Sequence, residues 1–156
     1  MKTLILYATK YGAAREIAER LLQKMPGAVL CDLKEAEKET LSDYETVIIG
    51  SAVYAGFIRK EAKAFLAQNA ETLKTKKLGL FLCGLQAAEE KKVFASNFAP
   101  EVLAAAKAAR FLGGIYDPKK AGFLERAIIK AASKLACYTD KIDDKGILEF
   151  AEKMGE

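Results

Sequence analysis

The chain has 156 residues with a net charge of +4, and about half are apolar (51%), so it is long enough to bury a core and too apolar for disorder. It contains no histidine, which excludes Ser-His-Asp and Cys-His nucleophiles, HExxH metalloenzymes and most transition-metal sites. Its three cysteines, Cys31, Cys83 and Cys137, are scattered without a CxxC, so neither a disulfide framework nor a metal site is expected, and the cytoplasm is favoured.

The first element is an apolar run, Thr3–Tyr7, that reads as a strand buried on both faces. A helical pattern over Ala13–Lys24 follows almost at once, with Ile17, Leu21, Leu22 and Met25 marking its apolar stripe. Only a short loop, Ala8–Ala14 (ATKYGAA), joins the two. Such a loop leaves backbone N–H groups pointing into one concavity at a helix N-terminus, a setting that suits an anion, most often a phosphate.

Strands are expected next at Ala28–Asp32 and Thr46–Ser51, separated by the mostly acidic stretch Lys34–Glu45. A helix over Arg59–Asn69 leads to a strand at Leu78–Cys83. Further helices are expected at Ala88–Ala95 and Pro100–Ala109, then a strand at Phe111–Ile115 and helices at Phe123–Cys137 and Lys145–Met154. No linker or internal repeat divides the chain, so residues 1–156 read as one domain. The alternation implies βαβ units, right-handed crossovers and a parallel sheet covered on both faces. Five strands suit a three-layer α/β/α, doubly wound sheet of order 2-1-3-4-5, with ligands outside the carboxyl ends of the strands.

Three loops should therefore meet at one sheet edge: Ala8–Ala14, Ser51–Phe57 (SAVYAGF) and Gly84–Glu90 (GLQAAEE). The first offers a phosphate cradle through Thr9, Lys10, Tyr11, Gly12, Ala13 and Ala14. The second offers Ser51, Val53, Ala55 and the aromatic ring of Tyr54, beside Gly56, which tolerates positive φ. The third offers Cys83, Gly84, Leu85 and Gln86. A phosphate cradle with two loops able to clamp a flat ring suits a mononucleotide with a planar head group. Each residue also has a plainer reading: Tyr54 as a half-buried seal, Ser51 as a turn cap, Cys83 as an inert core thiol.

The motifs LILYATKYGAAREIA (Leu4–Ala18), VIIGSAVYAGF (Val47–Phe57) and GFLERAIIKAASK (Gly122–Lys134) resemble the flavodoxin-like FMN-binding family. The third is similar to its quinone-coupled branch, the flavodoxin-type protoporphyrinogen IX dehydrogenases of haem biosynthesis. The resemblance implies FMN as cofactor, an oxidoreductase role, a porphyrinogen-like substrate and a quinone or other redox partner; no nucleic-acid partner is expected. The family's phosphate loop is usually T-x-T-G-x-T, whereas Thr9–Ala14 reads TKYGAA, so two hydroxyl donors worth ~1–3 kcal/mol each are missing. Lys10 or Arg15 can restore attraction to an anion, or stand as solvated surface charges.

The segment 119–137 is basic and amphipathic. Phe123, Leu124, Ala127, Ile128, Ala131 and Leu135 share one helical face, with Lys119, Lys120, Arg126, Lys130 and Lys134 nearby. A helix of this kind covers a sheet, docks on an acidic partner or lies at the inner face of a membrane; the resemblance implies membrane-side contact, and Tyr138–Gly146 is short relative to that branch.

Two other functions use the same fold. An electron shuttle would dock on a protein partner without a substrate pocket of its own, but shuttle flavodoxins are typically acidic and this chain is basic. A flavin-free binding module is the other; its phosphoacceptor form is excluded, because Ala8-Thr9 and Gly50-Ser51 stand where it needs acidic residues.

Overall fold

The computed structural model describes residues 2–85, 89–133 and 137–156. Strand β1 (Thr3–Ala8) lies inside a parallel sheet, one strand from its edge, with Leu4, Ile5 and Leu6 fully buried. It pairs on one side with β2 (Val29–Asp32) and on the other with β3 (Thr46–Tyr54), so that Leu4 faces both Val29 and Val47. Beyond β3 come β5 (Lys77–Cys83) and β6 (Ala106–Phe111), and the short β4 (Phe57–Ile58) folds back antiparallel on β3. The path β2-β1-β3-β5-β6 is the expected 2-1-3-4-5 order once the hairpin strand β4 is set aside.

Helices α1 (Ala13–Lys24) and α6 (Asp144–Gly155) cover one face, burying Ile17, Leu21, Phe150 and Met154 on Ile5, Ile48 and Phe81. On the other face, α2 (Lys60–Lys74), α3 (Glu90–Asn97) and α4 (Pro100–Ala105) bury Leu66, Leu73, Val93, Phe94 and Val102 on Leu4, Val47, Ile49 and Leu80. A 3-10 turn, Leu33–Lys38, closes this layer through Leu33. Neighbouring strands make room for large rings with glycine: Gly50 stands beside Phe81, where a Cβ would come within 1.9 Å of the ring.

The fifth sheet strand is Ala106–Phe111, so the expected strand at Phe111–Ile115 and the expected helix over Pro100–Ala109 are both corrected. Ala108–Phe111 pair with Gly79–Leu82, and the ladder captures an alanine-rich segment whose local preference is helical. Gly113, at φ +86, then turns the chain out of the sheet. Ile115–Tyr116 forms β7, which pairs not with the sheet but with β8 (Thr139–Asp140) in a separate antiparallel ribbon. The chain departs at Leu112 and comes back at Asp143, whose N–H donates to the Leu112 carbonyl at 3.0 Å. Between these points lies α5 (Phe123–Ser133).

Other expected boundaries shift. Helix α2 continues past Asn69 to Lys74, α3 begins at Glu90, and β3 runs beyond Ser51 to Tyr54. Cys137 lies in a bend beyond α5. Gln86, Ala88, Lys134 and Leu135, and the side chains of Ile128 and Ala131, lie outside the described residues. Among the described residues, no helix is long and apolar enough to cross a membrane.

Candidate functional site

Strand β1 ends at Ala8 and delivers the chain to Thr9, whose hydroxyl accepts the Gly12 N–H at 2.8 Å. Gly12 holds φ +103, a left-handed conformation in which an L side chain is strained, and its carbonyl accepts the Glu16 N–H as α1 begins. The first N–H groups of α1 have no partner within the helix and remain available at this corner. Ala13 faces the adjoining cavity, while Ala14 is fully buried in the core and does not line it.

Val53 and Tyr54 stand at the far end of β3, and Ala55 (φ +52) and Gly56 (φ +84) make the two-residue turn to β4. Positive φ at both central residues is what a type I′ hairpin turn requires. The Asn97 side chain fixes this turn to α3, accepting from the Ile58 N–H at 3.0 Å and donating to the Gly56 carbonyl at 2.8 Å. Ser51 is buried and does not line the cavity: its hydroxyl accepts from the Arg59 N–H and donates to the Ala52 carbonyl, each at 2.9 Å. It is an internal brace of the hairpin.

Cys83, Gly84 and Leu85 form the third loop. The Gly84 N–H donates to the Gly113 carbonyl at 2.8 Å, and the adjoining Gly114 approaches so closely that a Cβ there would lie 2.6 Å from the Gly84 carbonyl oxygen. Burial pushes the Cys83 thiol up to about 12, so it presents a neutral, unreactive sulfur to the cavity.

The three loops bound a cavity of about 580 Å³, within the range typical of small-molecule sites. Phe111, Val93, Lys92 and Ser96 extend it toward α3, and Ile115, Tyr116, Asp117, Ala121, Glu125 and Ile129 roof it from the segment after β6. The sequence reading missed this roof. Its one available signal was Glu125, an acid in the first turn of an otherwise basic helix.

Glu125 pins α5 to the first loop. One carboxylate oxygen accepts from Lys10 Nζ at 2.5 Å and the other from the Tyr11 hydroxyl at 2.6 Å. Burial alone would raise the Glu125 carboxyl, but the Lys10 and Tyr11 hydrogen bonds outweigh it and hold the group below its ordinary value. The same hydrogen bond, donated by Lys10 to Glu125, is the main cause that raises Lys10. Lys10 Nζ also lies 3.7 Å from the centre of the Tyr54 ring, a cation–π contact that joins the first loop to the second. Lys120 Nζ donates to the Tyr11 carbonyl at 3.3 Å.

Of the two cations expected near the loop, Lys10 lines the cavity, whereas Arg15 is exposed and paired with Glu19. Phe123 and Leu124 are 82% and 69% exposed, so the front of α5 does not pack on the sheet. A backbone cradle beside an apolar, ring-lined slot fits a ligand with one anionic end and one flat end.

Solved structures share the fold. The oxidised Flavodoxin 2 of Bacillus cereus is 20% identical, covering 99% of this chain and 98% of its own, with a TM-score of 0.62. A short-chain flavodoxin associated with a non-canonical PDU bacterial microcompartment is 13% identical, with coverages of 99% and 97% and a TM-score of 0.60. Rubredoxin oxygen:oxidoreductase of Desulfovibrio gigas is 16% identical over 98% of this chain, which spans only 35% of that protein, with a TM-score of 0.60. No curated protein matches the sequence. The flavodoxin domain model matches residues 4–143, and with this sheet order the chain belongs to the flavodoxin domain family, whose cofactor is FMN.

Proposed function

We propose that the cavity is an FMN site and that residues 1–156 act as a single flavodoxin-like domain with an electron-transferring, oxidoreductase role. The observation that carries this reading is the meeting, at one sheet edge, of the Thr9–Ala13 cradle with the slot between Tyr54 and the Cys83–Leu85 loop. In it, the Thr9 hydroxyl and the N–H groups that open α1 at Ala13 hold the phosphate, while Gly12, whose N–H is taken by Thr9 and which does not line the cavity, shapes the turn. Tyr54 with Val53, Ala55 and Gly56 contacts one side of the ring system, and Cys83, Gly84 and Leu85 the other. FMN bound there supplies the one- and two-electron chemistry; the chain binds it, orients it and keeps water from it.

The finer reading is oxidation of a porphyrinogen-like substrate with electrons passed to a quinone. It is supported by the Gly122–Lys134 motif, by the chain's basic charge and by the cavity's extension past the ring-clamping loops to Lys92, Val93 and Ser96. Exposed Phe123 and Leu124 beside Lys119, Lys120, Arg126 and Lys130 support contact with an acidic partner or the inner face of a membrane. A shuttle role is the second reading, favoured by the exposed Phe57 beside Tyr54 at the cavity rim, where a protein partner would approach.

The test is the visible spectrum of the purified chain, followed by titration with FMN. Saturable binding that weakens at least about tenfold in Tyr54→Ala is expected, the loss of a stacked ring contact being of that order. No flavin absorbance and no saturable binding would refute the FMN site. Anaerobic mixing with protoporphyrinogen and a quinone then separates the enzyme from the shuttle, since only the enzyme bleaches its flavin on contact with substrate.

A further inference from the structure

Glu125 places a carboxylate on the loop that the flavin reading assigns to a phosphate. Its side chain is 14% exposed, and both of its oxygens are engaged by that loop, by Lys10 Nζ and by the Tyr11 hydroxyl. Lys10 is the loop's own cation in the cavity; the other lining lysine, Lys92, lies on α3. With Lys10 held by Glu125, the pair presents no net charge where an arriving anion would otherwise meet an ammonium. The same loop lacks two of the family's usual hydroxyls, at Tyr11 and Ala14. Its remaining attraction for a phosphate comes from backbone N–H groups, the single Thr9 hydroxyl and the Lys120 ammonium that donates to the Tyr11 carbonyl, without the charge of Lys10.

Resting on the flavin reading, we propose that Glu125 sets the specificity of the site. By cancelling Lys10 it narrows the loop's preference for a flavin that carries a terminal phosphate, and that preference widens when this carboxylate is removed or displaced. The hydrogen bonds of Glu125 run to the first loop, and the device reaches the ring end only through Lys10, which also lies over the Tyr54 ring. The amide of Glu125→Gln preserves the shape and can still accept from Tyr11, yet it frees the charge of Lys10.

The experiment compares FMN with riboflavin on the full chain by quenching of flavin fluorescence. In the unaltered protein the two dissociation constants are expected within about tenfold of each other. Glu125→Gln should tighten FMN at least about tenfold, the scale of freeing one ammonium beside an anion at a partly exposed site, and move riboflavin by less than about threefold. Glu125→Ala should act in the same direction, and Glu125→Asp should restore the original ratio; circular dichroism checks that each variant is folded. An FMN-to-riboflavin ratio that is the same in all four proteins overturns the proposal while leaving the FMN site standing. Quenching of neither flavin by any of them overturns the underlying flavin reading as well.

Discussion

Gly50 and Phe81 show how single residues fix the packing beneath the site. They are partners in adjacent strands, and Phe81 is wholly buried, its ring occupying the space a Cβ on Gly50 would need. Gly50→Ala must therefore displace an aromatic ring that is wholly buried in the core. The variant should lose about 3 kcal/mol, the upper part of the usual cost of overpacking, measured by urea unfolding; a loss under about 1 kcal/mol would show that the ring relocates freely. Other residue-level readings were legible in part. Thr9, Lys10, Tyr54 and Cys83 were singled out because strand ends and apolar runs announce the sheet edge. Ser51 is different: the sequence shows a hydroxyl at a strand end but cannot show that a hairpin three residues on will consume it. Glu125 was hidden because its partners lie 115 and 114 positions away.

At the scale of elements, the segment between β2 and β3 is held by Tyr44. Its hydroxyl donates to Glu39 at 2.6 Å, and Lys76 Nζ donates to its backbone carbonyl at 2.7 Å, linking this segment to the turn before β5. The hydrogen bond to Glu39, with burial, pushes the Tyr44 hydroxyl up to about 12. In the unfolded chain it titrates near 10, so the folded state retains a proton that the unfolded state has lost. The contribution is complete below pH 10 and disappears as pH rises toward 12. Thermal unfolding between pH 9 and 12 should show a steeper fall in Tm for the native chain than for Tyr44→Phe; parallel curves would remove Tyr44 as the cause. Elements with long apolar runs, β1, β3 and β5, were readable because burial on both faces leaves no other composition available. Strand β6 was not, since AKAARF has neither the alternation nor the branched residues of a strand and is recruited by the open edge of β5. Strands β4, β7 and β8 are two residues each, too short to carry a period.

The molecule as a whole rests on two cores, one on each face of the sheet. Phe81 reaches from β5 to Phe150 of α6, the rings edge to face with centres 6.4 Å apart. Phe150→Ala should cost about 3–5 kcal/mol, as for other buried aromatic truncations. Combined with Phe81→Ala in a double-mutant cycle, it should show a coupling of about 0.5–1.5 kcal/mol; strict additivity would mean that the contact holds nothing together beyond its area.

The return of the chain at Asp143 to the place it left at Leu112 has a consequence for how such a site can diversify. Residues 113–142 leave and re-enter the body through a closed neck, tied again where the Lys141 N–H meets the Gly114 carbonyl at 2.8 Å. Because the ends already meet, lengthening or shortening what lies between them changes the closure cost only slowly, by about 0.6 kcal/mol per doubling. The floor of the cavity is set by the register of the strands, and the roof is an exchangeable cassette. One floor can thus be paired with roofs of different length without disturbing the sheet beneath.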